Sequence, residues 1–399
     1  MSEQKLTKKP VSKETYVVLI ILAVFFGGFG TIMGAENFLN TMIATSFGLL
    51  KDVAFWIMAV AVLTSALAAI LAEFGIFSLL NFLIAPITKV IYSLPGVSAL
   101  GAISAYFSDN PAVISLSKED EFRKRFKDYQ IPVLCNLGTS FGMGFIVTIS
   151  MMGLQGQFGH DTVITGGVAN AFFVAALVGL LASVVGSVVS VRLLTRASRK
   201  AFGIDKDPNP IKKFDSKYDV RKVREGGAFG RALEAALDGG KNGVDIGLQI
   251  IPGILVISTL VLMLTYGPDK ATGMYTGSAY EGIALIPSLG DYLMWLFRPL
   301  FGFSDAGALA FPLTSLGSAG AAVGNVPSML SAGIANVKDV AVFTAMGITW
   351  SGYLSTHTSM MDALGARKLT GQAIFAHTIG GAVSGIVANY LFILITSFM

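Results

Sequence analysis

The sequence predicts an all-α, polytopic membrane protein, and three observations lead to that fold class. The chain of 399 residues is 53% hydrophobic and only 14% charged, whereas soluble domains carry about 25% charged residues. Several apolar stretches reach the roughly 20 residues that a helix needs to cross a bilayer. The order of these stretches repeats in the two halves of the chain. We therefore predict inverted repeats, each with an interfacial helix, a re-entrant helical hairpin and three crossings, preceded by one extra N-terminal helix.

The crossings are the first elements that the sequence defines. Seven segments have the length of a membrane-spanning helix. One of them, Val340–Met361, contains many polar residues. The other six are uniformly apolar: Tyr16–Met33, Asp52–Ala72, Gln130–Met152, Val163–Leu194, Ile246–Tyr266 and Gln372–Phe398.

Four further apolar segments are poor as simple crossings. Two are short and end near a proline, namely Phe74–Tyr92 and Ala284–Phe297. Two are rich in Gly, Ser, Ala and Asn and carry a late proline, namely Val97–Leu116 and Ala306–Ile334. Proline interrupts a helix, and broken backbone is tolerated at membrane depth only where protein or water satisfies it. We expect the second pair to form re-entrant hairpins or discontinuous helices.

The order of elements indicates a duplication. Leu100-Gly101 and Pro111 correspond to Leu316-Gly317 and Pro327, and other short matches follow at a nearly constant offset. The predicted organisation is a tail at 1–15, an extra helix and outer loop at 16–50, a first repeat at 51–195, a basic linker at 196–226, and an amphipathic helix with the second repeat at 227–399. In that amphipathic helix, charged residues recur every three or four positions from Arg231 to Asp245, a pattern typical of helices that lie in the membrane interface.

Basic residues predict the orientation, because loops rich in Lys and Arg face the cytoplasm. The N-terminal tail, the loop at Arg123–Lys127, the central linker and Arg367-Lys368 are basic, so we place them inside. Three crossings in each repeat then leave the C-terminus outside and invert the second half relative to the first. Inverted repeats with paired broken helices are the recurring architecture of secondary transporters.

The broken segments also carry a family resemblance. Gly226–Pro252 places small residues along an amphipathic helix, and the sequences Ser108-Asp109-Asn110-Pro111 and Gly324-Asn325-Val326-Pro327 lie in the two hairpins. In these features residues 50–399 resemble the nucleoside-recognition, or Gate, domain membrane proteins. That family includes spore-maturation proteins and is distantly similar to concentrative nucleoside transporters. The resemblance implies a nucleoside-like solute, while amino acids and small peptides remain open.

The candidate site residues are polar groups in the hairpins and in the crossings that follow them. Backbone groups freed at a broken helix need polar partners, which a solute, an ion or water can supply. The alternative for each hydroxyl is a bond back to its own helix. As ion-coupling candidates we take Asp109, Asp305 and Thr314. As substrate-binding candidates we take Ser108, Asn110, Asn136, Thr139, Ser140, Ser315, Ser318, Asn325, Ser351, Ser355 and His357.

Other functions find no support in the sequence. The single cysteine, Cys135, excludes a disulfide framework and a Cys-rich metal site. No His-Glu-x-x-His, Gly-x-Ser-x-Gly or P-loop motif is present, so we predict neither an enzyme nor a resident metal. The basic linker has a topological explanation, which leaves no reason to expect nucleic-acid binding.

These observations favour a secondary transporter of a small polar solute in the cell membrane. It would work by alternating access, with Na⁺ or H⁺ as the coupling ion and no other cofactor. Its partners would be the solute and the lipid bilayer, and the architecture is compatible with a homo-oligomer. The alternative is a non-transporting membrane assembly subunit or solute sensor of the spore-maturation type.

Overall fold

The fold is helical throughout the part of the chain that the computed structural model describes, which is residues 10–118, 120–207, 223–351 and 353–399. Within those ranges the side chains of residues 111, 120, 121, 354 and 355 are not described. Residues 1–9 of the predicted N-terminal tail and residues 208–222 of the basic linker lie outside the described residues.

The N-terminal region contains more helix than expected. Helix α1 (Lys13–Met33) turns at Gly34, which has a φ of 83°, into α2 (Ala35–Gly48). A π-helical turn (Leu49–Ala54) then joins α2 to α3 (Phe55–Glu73) without a break. The prediction of an outer loop ahead of residue 51 was therefore wrong, because this stretch is a helix that extends the next crossing.

The first repeat follows in the predicted order. Its first hairpin consists of two short helices that stop and restart at Ser108–Asn110. The elements are α4 (Ile76–Tyr92), α5 (Ser98–Phe107), α6 (Pro111–Ser117), α7 (Asp120–Arg123), α8 (Val133–Thr139), α9 (Gly144–Phe158), α10 (Thr162–Thr165) and α11 (Ala171–Ala201).

The region of the second predicted repeat has a similar but not identical order of elements. A second π-helical turn (Gly253–Ser258) lies inside its first long helix, and its hairpin begins with a 3-10 turn (Ala306–Leu309). The elements are α12 (Ala228–Pro252), α13 (Thr259–Thr265), α14 (Leu285–Asp291), α15 (Met294–Phe301), α16 (Ala310–Ser315), α17 (Ala319–Ser331), α18 (Val337–Thr349), α19 (Tyr353–Ala363) and α20 (Thr370–Thr396). We call α16 and α17 with the preceding turn the second hairpin.

Six helical stretches of the described chain are long and apolar enough to cross a membrane. Each contains or overlaps one of the six uniformly apolar segments of the sequence, so those predictions are confirmed. The stretches are Lys13–Met33, Ala35–Glu73, Asp128–Phe158, Ala171–Ala201, Ala228–Thr265 and Arg367–Thr396.

We had expected one uninterrupted helix in the crossing after each hairpin, but both crossings contain a break. Helix α8 ends at Thr139, and α9 begins at Gly144 after Met143 adopts a φ of 56°. Likewise α18 ends at Thr349 and α19 begins at Tyr353. Glycines next to each interruption lower helix propensity, and the tertiary contacts described below hold both breaks in place.

The amphipathic segment after the linker is also not a separate helix. It forms α12, which continues through the π-turn into α13 and packs lengthwise against α3. A Cβ atom at Gly239 would lie 2.4 Å from the Ser65 carbonyl oxygen, and one at Gly247 would lie 2.3 Å from Met58 Cγ. The glycines thus let the two backbones approach closely, as small residues do between membrane helices.

Two pairs of long helices, α3 with α12 and α11 with α20, pack against each other in opposite directions. Between α12 and α3, the contacts run from Gly239 with Ser65 to Gly247 with Met58, so residue numbers rise on one helix and fall on the other. Between α11 and α20, Gly186 contacts Ser384 whereas Ser190 contacts His377, which gives the same antiparallel sense. Helix α18, whose side chains are almost all buried, packs against α11, α20, α9 and the second hairpin.

Candidate functional site

The tip of the first hairpin lies against the break between α8 and α9. The Asn110 side chain is 3% exposed and faces Gly142 in that break. A Cβ at Gly142 would lie 1.7 Å from Asn110 Oδ1, so only glycine fits there. Among the described residues this Oδ1 atom has no hydrogen-bond partner. A buried acceptor of this kind is expected to meet a ligand, an ion or water.

The neighbouring residues of the first hairpin are less deeply buried. Asp109 is half-buried and its Oδ1 accepts a 2.7 Å hydrogen bond from the Asn110 backbone N–H, while Ser108 is exposed. Tyr106 closes the inner side, because its hydroxyl lies 3.1 Å from Thr148 Oγ1 and its ring covers Gly144. The carboxylate of Asp109 is therefore partly accessible to solvent and partly held by the backbone of the hairpin tip.

The polar groups of the second hairpin differ in how well they are satisfied. Ser318 caps α17 by accepting a hydrogen bond from the Ala321 N–H at 3.2 Å. Thr314 donates to the Ala310 carbonyl of its own helix at 2.7 Å. Ser315 and Asn325 are fully buried, and neither the Ser315 hydroxyl nor either amide atom of Asn325 finds a partner in the described part of the chain. Asn325 is thus the least satisfied polar side chain of this hairpin.

The break between α18 and α19 adds two more buried hydroxyls. Thr349 and Ser351 are both 0% exposed, and their hydroxyls lack partners within the described ranges. One turn earlier, Gly347 of α18 lies against Phe311 of the second hairpin and Val147 of α9. Helix α18 therefore packs against both α9, which belongs to the other broken crossing, and the second hairpin.

Asn136, Ser190, His377 and His357 form a second polar group, which lies between α8, α11, α19 and α20. Asn136 Nδ2 donates to Ser190 Oγ at 2.9 Å and to the Ala373 carbonyl at 3.0 Å. Ser190 Oγ lies 3.0 Å from His377 Nδ1, and the His377 and His357 ring centroids are 4.7 Å apart. His357 Nδ1 lies 2.5 Å from the Tyr353 carbonyl oxygen. These contacts join helices of both repeats.

The remaining predicted site residues have local partners or lie elsewhere. Thr139 and Ser140 both donate to the Asn136 carbonyl, as hydroxyls in membrane helices commonly do. Asp305 is exposed and caps the turn at the start of the second hairpin by accepting from the Gly307 N–H at 2.7 Å. The side chain of Ser355 lies outside the described residues.

Sequence reasoning missed the residues that position this site. Gly142 and Gly347 leave room for neighbouring side chains, and Ser190 accepts a hydrogen bond from Asn136. Neither glycine nor serine stands out in the sequence of an apolar helix. A signal does exist for α11, where Ser183, Ser187 and Ser190 recur at helical spacing and are all fully buried. Such a stripe of small residues predicts a helix–helix contact surface.

The chemistry that this arrangement offers is neutral hydrogen bonding. The unpartnered groups near the breaks are amides and hydroxyls, and the described residues contain no cluster of His, Cys, Asp or Glu that would hold a metal ion. Amides and hydroxyls both donate and accept, so they suit an uncharged polar solute better than a highly charged one.

Comparison with solved structures identifies the fold. The chain is similar to a double variant of CNTnw, a concentrative nucleoside transporter, in an outward-facing state, with a TM-score of 0.54 and 14% identity; the match covers 96% of this chain and 85% of that one. It is similar to the same transporter in an inward-facing substrate-bound state, with a TM-score of 0.53, 14% identity and the same coverage. No family model and no curated protein matches the chain.

The likeness extends over nearly the whole chain and is one of fold. Together with the six long apolar helices, it makes this chain a multi-pass membrane protein with a transporter-like fold. The predicted distant similarity to concentrative nucleoside transporters is confirmed at that level.

Proposed function

We propose that the chain is a secondary transporter that carries a small, uncharged polar solute by alternating access. The observation that carries the proposal is that both hairpins, and the break after the second of them, hold buried polar groups without partners. These are Asn110 Oδ1, both amide atoms of Asn325, and the hydroxyls of Ser315, Thr349 and Ser351, considered against the described part of the chain. Buried polar groups without hydrogen-bond partners lower the stability of a folded protein. A bound ligand that hydrogen-bonds to these groups would offset that cost.

The antiparallel pairing of corresponding helices supports inverted repeats. If α3 corresponds to α12 and α11 to α20, antiparallel contacts mean that one repeat runs through the membrane opposite to the other. Such halves can exchange conformations, so that one solute site opens to either side in turn. The similar transporter has been seen in outward-facing, intermediate and inward-facing states, which is the behaviour that the proposal requires of this chain.

We propose a nucleoside-like solute, in keeping with the neutral donors and acceptors near the breaks. The coupling ion would be Na⁺ or H⁺, and Asp109 at the tip of the first hairpin is its best placed carboxylate. Asp305 and Thr314 remain ion-coupling candidates of lower structural support, because the first is an exposed cap and the second is bonded within its helix.

Uptake by reconstituted protein tests the proposal. Proteoliposomes would be supplied with radiolabelled nucleosides, nucleobases, amino acids and dipeptides, each with a Na⁺ gradient, a pH gradient or neither. We expect saturable uptake of at least one uncharged solute, stimulated by one gradient. Asn110→Ala and Asn325→Ala should reduce it by about tenfold or more, because each removes a hydrogen bond to the solute or to the site around it.

A matched control comes from α4. Asn81 also carries a side-chain oxygen without a partner in the described ranges, but it lies on α4, away from both breaks. Asn81→Ala should therefore leave uptake unchanged. Absence of uptake, exchange and ligand stabilisation for every solute would contradict transport and favour the assembly-subunit or sensor alternative.

A further inference from the structure

A cleft with several polar lining residues opens beside the second hairpin. Its volume is about 260 Å³, and it is lined by Asp52 and Trp56 from the first long helix, Gln157 from the end of α9, Tyr280 from the loop after α13, and Gly324 and Ser328 from α17. Pockets for drug-sized ligands begin at roughly 300 Å³, so this cleft suits a small metabolite. Four separate segments of the chain contribute to it.

The cleft lies where the second hairpin rests on the two π-helical turns. These turns pack against each other, and α17 packs against both. Ser258 of the second π-turn donates to the Ala321 carbonyl at 3.3 Å, and a Cβ at Gly324 would lie 2.1 Å from Val53 of the first π-turn. Interruptions of the α-helical repeat by π-turns occur frequently at functional sites.

Tyr280 is held in a costly conformation at the rim. Its φ of 65° is unusual for a bulky residue, and such strain persists only where the surroundings fix it. Its N–H donates to Thr45 Oγ1 at 2.8 Å, and its ring stands over Gly48. Burial, and next the nearby Asp52 carboxylate, raise the pKa of the Tyr280 phenol. The phenol therefore remains protonated at neutral pH and can donate a hydrogen bond.

The charge of the cleft comes from Asp52. It is the one carboxylate among the described lining residues. Its neighbour Lys51 lies 3.6 Å away, but both side chains are more than 60% exposed, and exposed pairs of this kind interact weakly. Cations are therefore drawn to the cleft and anions are repelled, while the faces of Trp56 and Tyr280 suit a planar or cationic group.

The cleft is lined by the same turn of α17 that carries Asn325. Ser328 Oγ donates to the carbonyl oxygen of Asn325 at 2.8 Å, and Gly324 directly precedes Asn325. A solute bound in the cleft would thus lie within one helical turn of the Asn325 amide, which lacks a partner among the described residues.

We infer that this cleft is the vestibule through which solute reaches the second hairpin, and that it selects neutral or cationic solutes with a planar part against anions. The inference deepens the proposed function. It rests on that function only in assuming that solute passes from the cleft to the second hairpin. Asp52 sets the charge preference, and Trp56 and Tyr280 supply the surfaces on which a ring would stack.

Quenching of Trp56 fluorescence tests the charge preference without any transport assay. Trp350 is 7% exposed and shielded from ionic quenchers, whereas Trp295 is exposed, so Trp295→Phe leaves Trp56 as the accessible indole of the three tryptophans. In this background we expect Cs⁺ to quench more strongly than I⁻ at constant ionic strength. One charge at about 4 Å changes the local ion concentration by about fivefold in dilute salt, and the effect shrinks as salt screens it.

Two carboxylate variants provide the comparison. Asp52→Asn should remove the preference for Cs⁺. Asp362→Asn should preserve it, because Asp362 has the same 61% exposure and a basic neighbour but lies at the end of α19, outside the cleft. Addition of Trp56→Phe should abolish the quenchable signal. Equal quenching by the two ions before Asp52 is replaced, or an unchanged ratio afterwards, would overturn the inference.

A solute competition completes the test. Uridine, as an uncharged planar probe, should protect Trp56 from Cs⁺, and uridine monophosphate should protect at least about fivefold less at equal concentration. Equal protection by both, or none by any nucleoside, nucleobase or amino acid, would overturn the assignment to solute. Protection without uptake into proteoliposomes would instead uphold the vestibule and contradict transport, so the two failures are distinguishable.

Discussion

At the scale of single residues, Asn325 is the position where stability and function should conflict most clearly. Both amide atoms are buried, and neither has a partner in the described chain. Leaving such groups unsatisfied costs about 1–3 kcal/mol, so Asn325→Leu, which replaces the amide by an apolar group of the same branched shape, should raise the free energy of unfolding by up to about that amount. The same change should abolish solute uptake. Chemical unfolding in detergent and proteoliposome uptake measure the two effects.

Asn136 is the matched control for this prediction. It is equally buried, but its Nδ2 group donates to Ser190 Oγ and to the Ala373 carbonyl. Asn136→Leu removes these bonds and leaves their partners unsatisfied, so it should lower stability. A loss of stability in Asn325→Leu as well would show that Asn325 has a structural role and is not held ready for a ligand.

At the scale of elements, the close contact of α12 with α3 depends on glycine at particular positions. A Cβ at Gly243 would lie 2.4 Å from Val62 Cα and 2.5 Å from the Ala61 carbonyl oxygen, and backbone atoms cannot rotate away as a side chain can. Gly243→Ala should therefore destabilise the protein by about 1–3 kcal/mol. The midpoint of thermal unfolding in detergent is the measurement.

Gly240 shows what the same substitution does without the contact. The nearest atom to a Cβ there is Val62 Cγ1 at an ordinary 3.7 Å. Alanine is the better helix former by about 1 kcal/mol, so Gly240→Ala should leave stability unchanged or raise it slightly. Equal effects at both positions would refute close packing of α12 on α3.

The elements also show what sequence can and cannot predict. The six long apolar helices were recognisable because length and apolarity alone decide whether a helix can cross a bilayer. The hairpins were recognisable from Gly, Ser and proline around Pro111 and Pro327. The breaks at Met143 and between α18 and α19 were not, because no proline marks them and their stability comes from contacts such as Asn110 with Gly142.

The same limit applies to the site. Asn110 and Asn325 were selected from the sequence because polar residues in broken helices need partners, and the structure places both in buried positions without complete hydrogen bonding in the described chain. The cleft with Asp52, Trp56 and Tyr280 could not be predicted, since a π-turn and a residue at positive φ leave no pattern in the sequence. Only folding brings these segments together.

At the scale of the whole molecule, the antiparallel contact of α11 with α20 predicts where their C-terminal ends lie. Gly186 meets Ser384 and Ser190 meets His377, so two crossing helices in this arrangement must end on opposite membrane surfaces. Cys135 is fully buried and should not react with a membrane-impermeant maleimide. Single cysteines at Lys200 and at Ser397, both exposed, should therefore report the two surfaces without background.

We expect Ser397→Cys to be labelled in intact cells, and Lys200→Cys only after permeabilisation, because the basic end of α11 faces the cytoplasm by the distribution of Lys and Arg. The unsubstituted chain should remain unlabelled under both conditions and serves as the control. Labelling of both cysteines from the same side would contradict the inversion of the repeats, and with it the exchange of conformations on which alternating access depends. The reverse pattern, with Lys200→Cys outside, would preserve the inversion and show that the basic loops do not set the orientation.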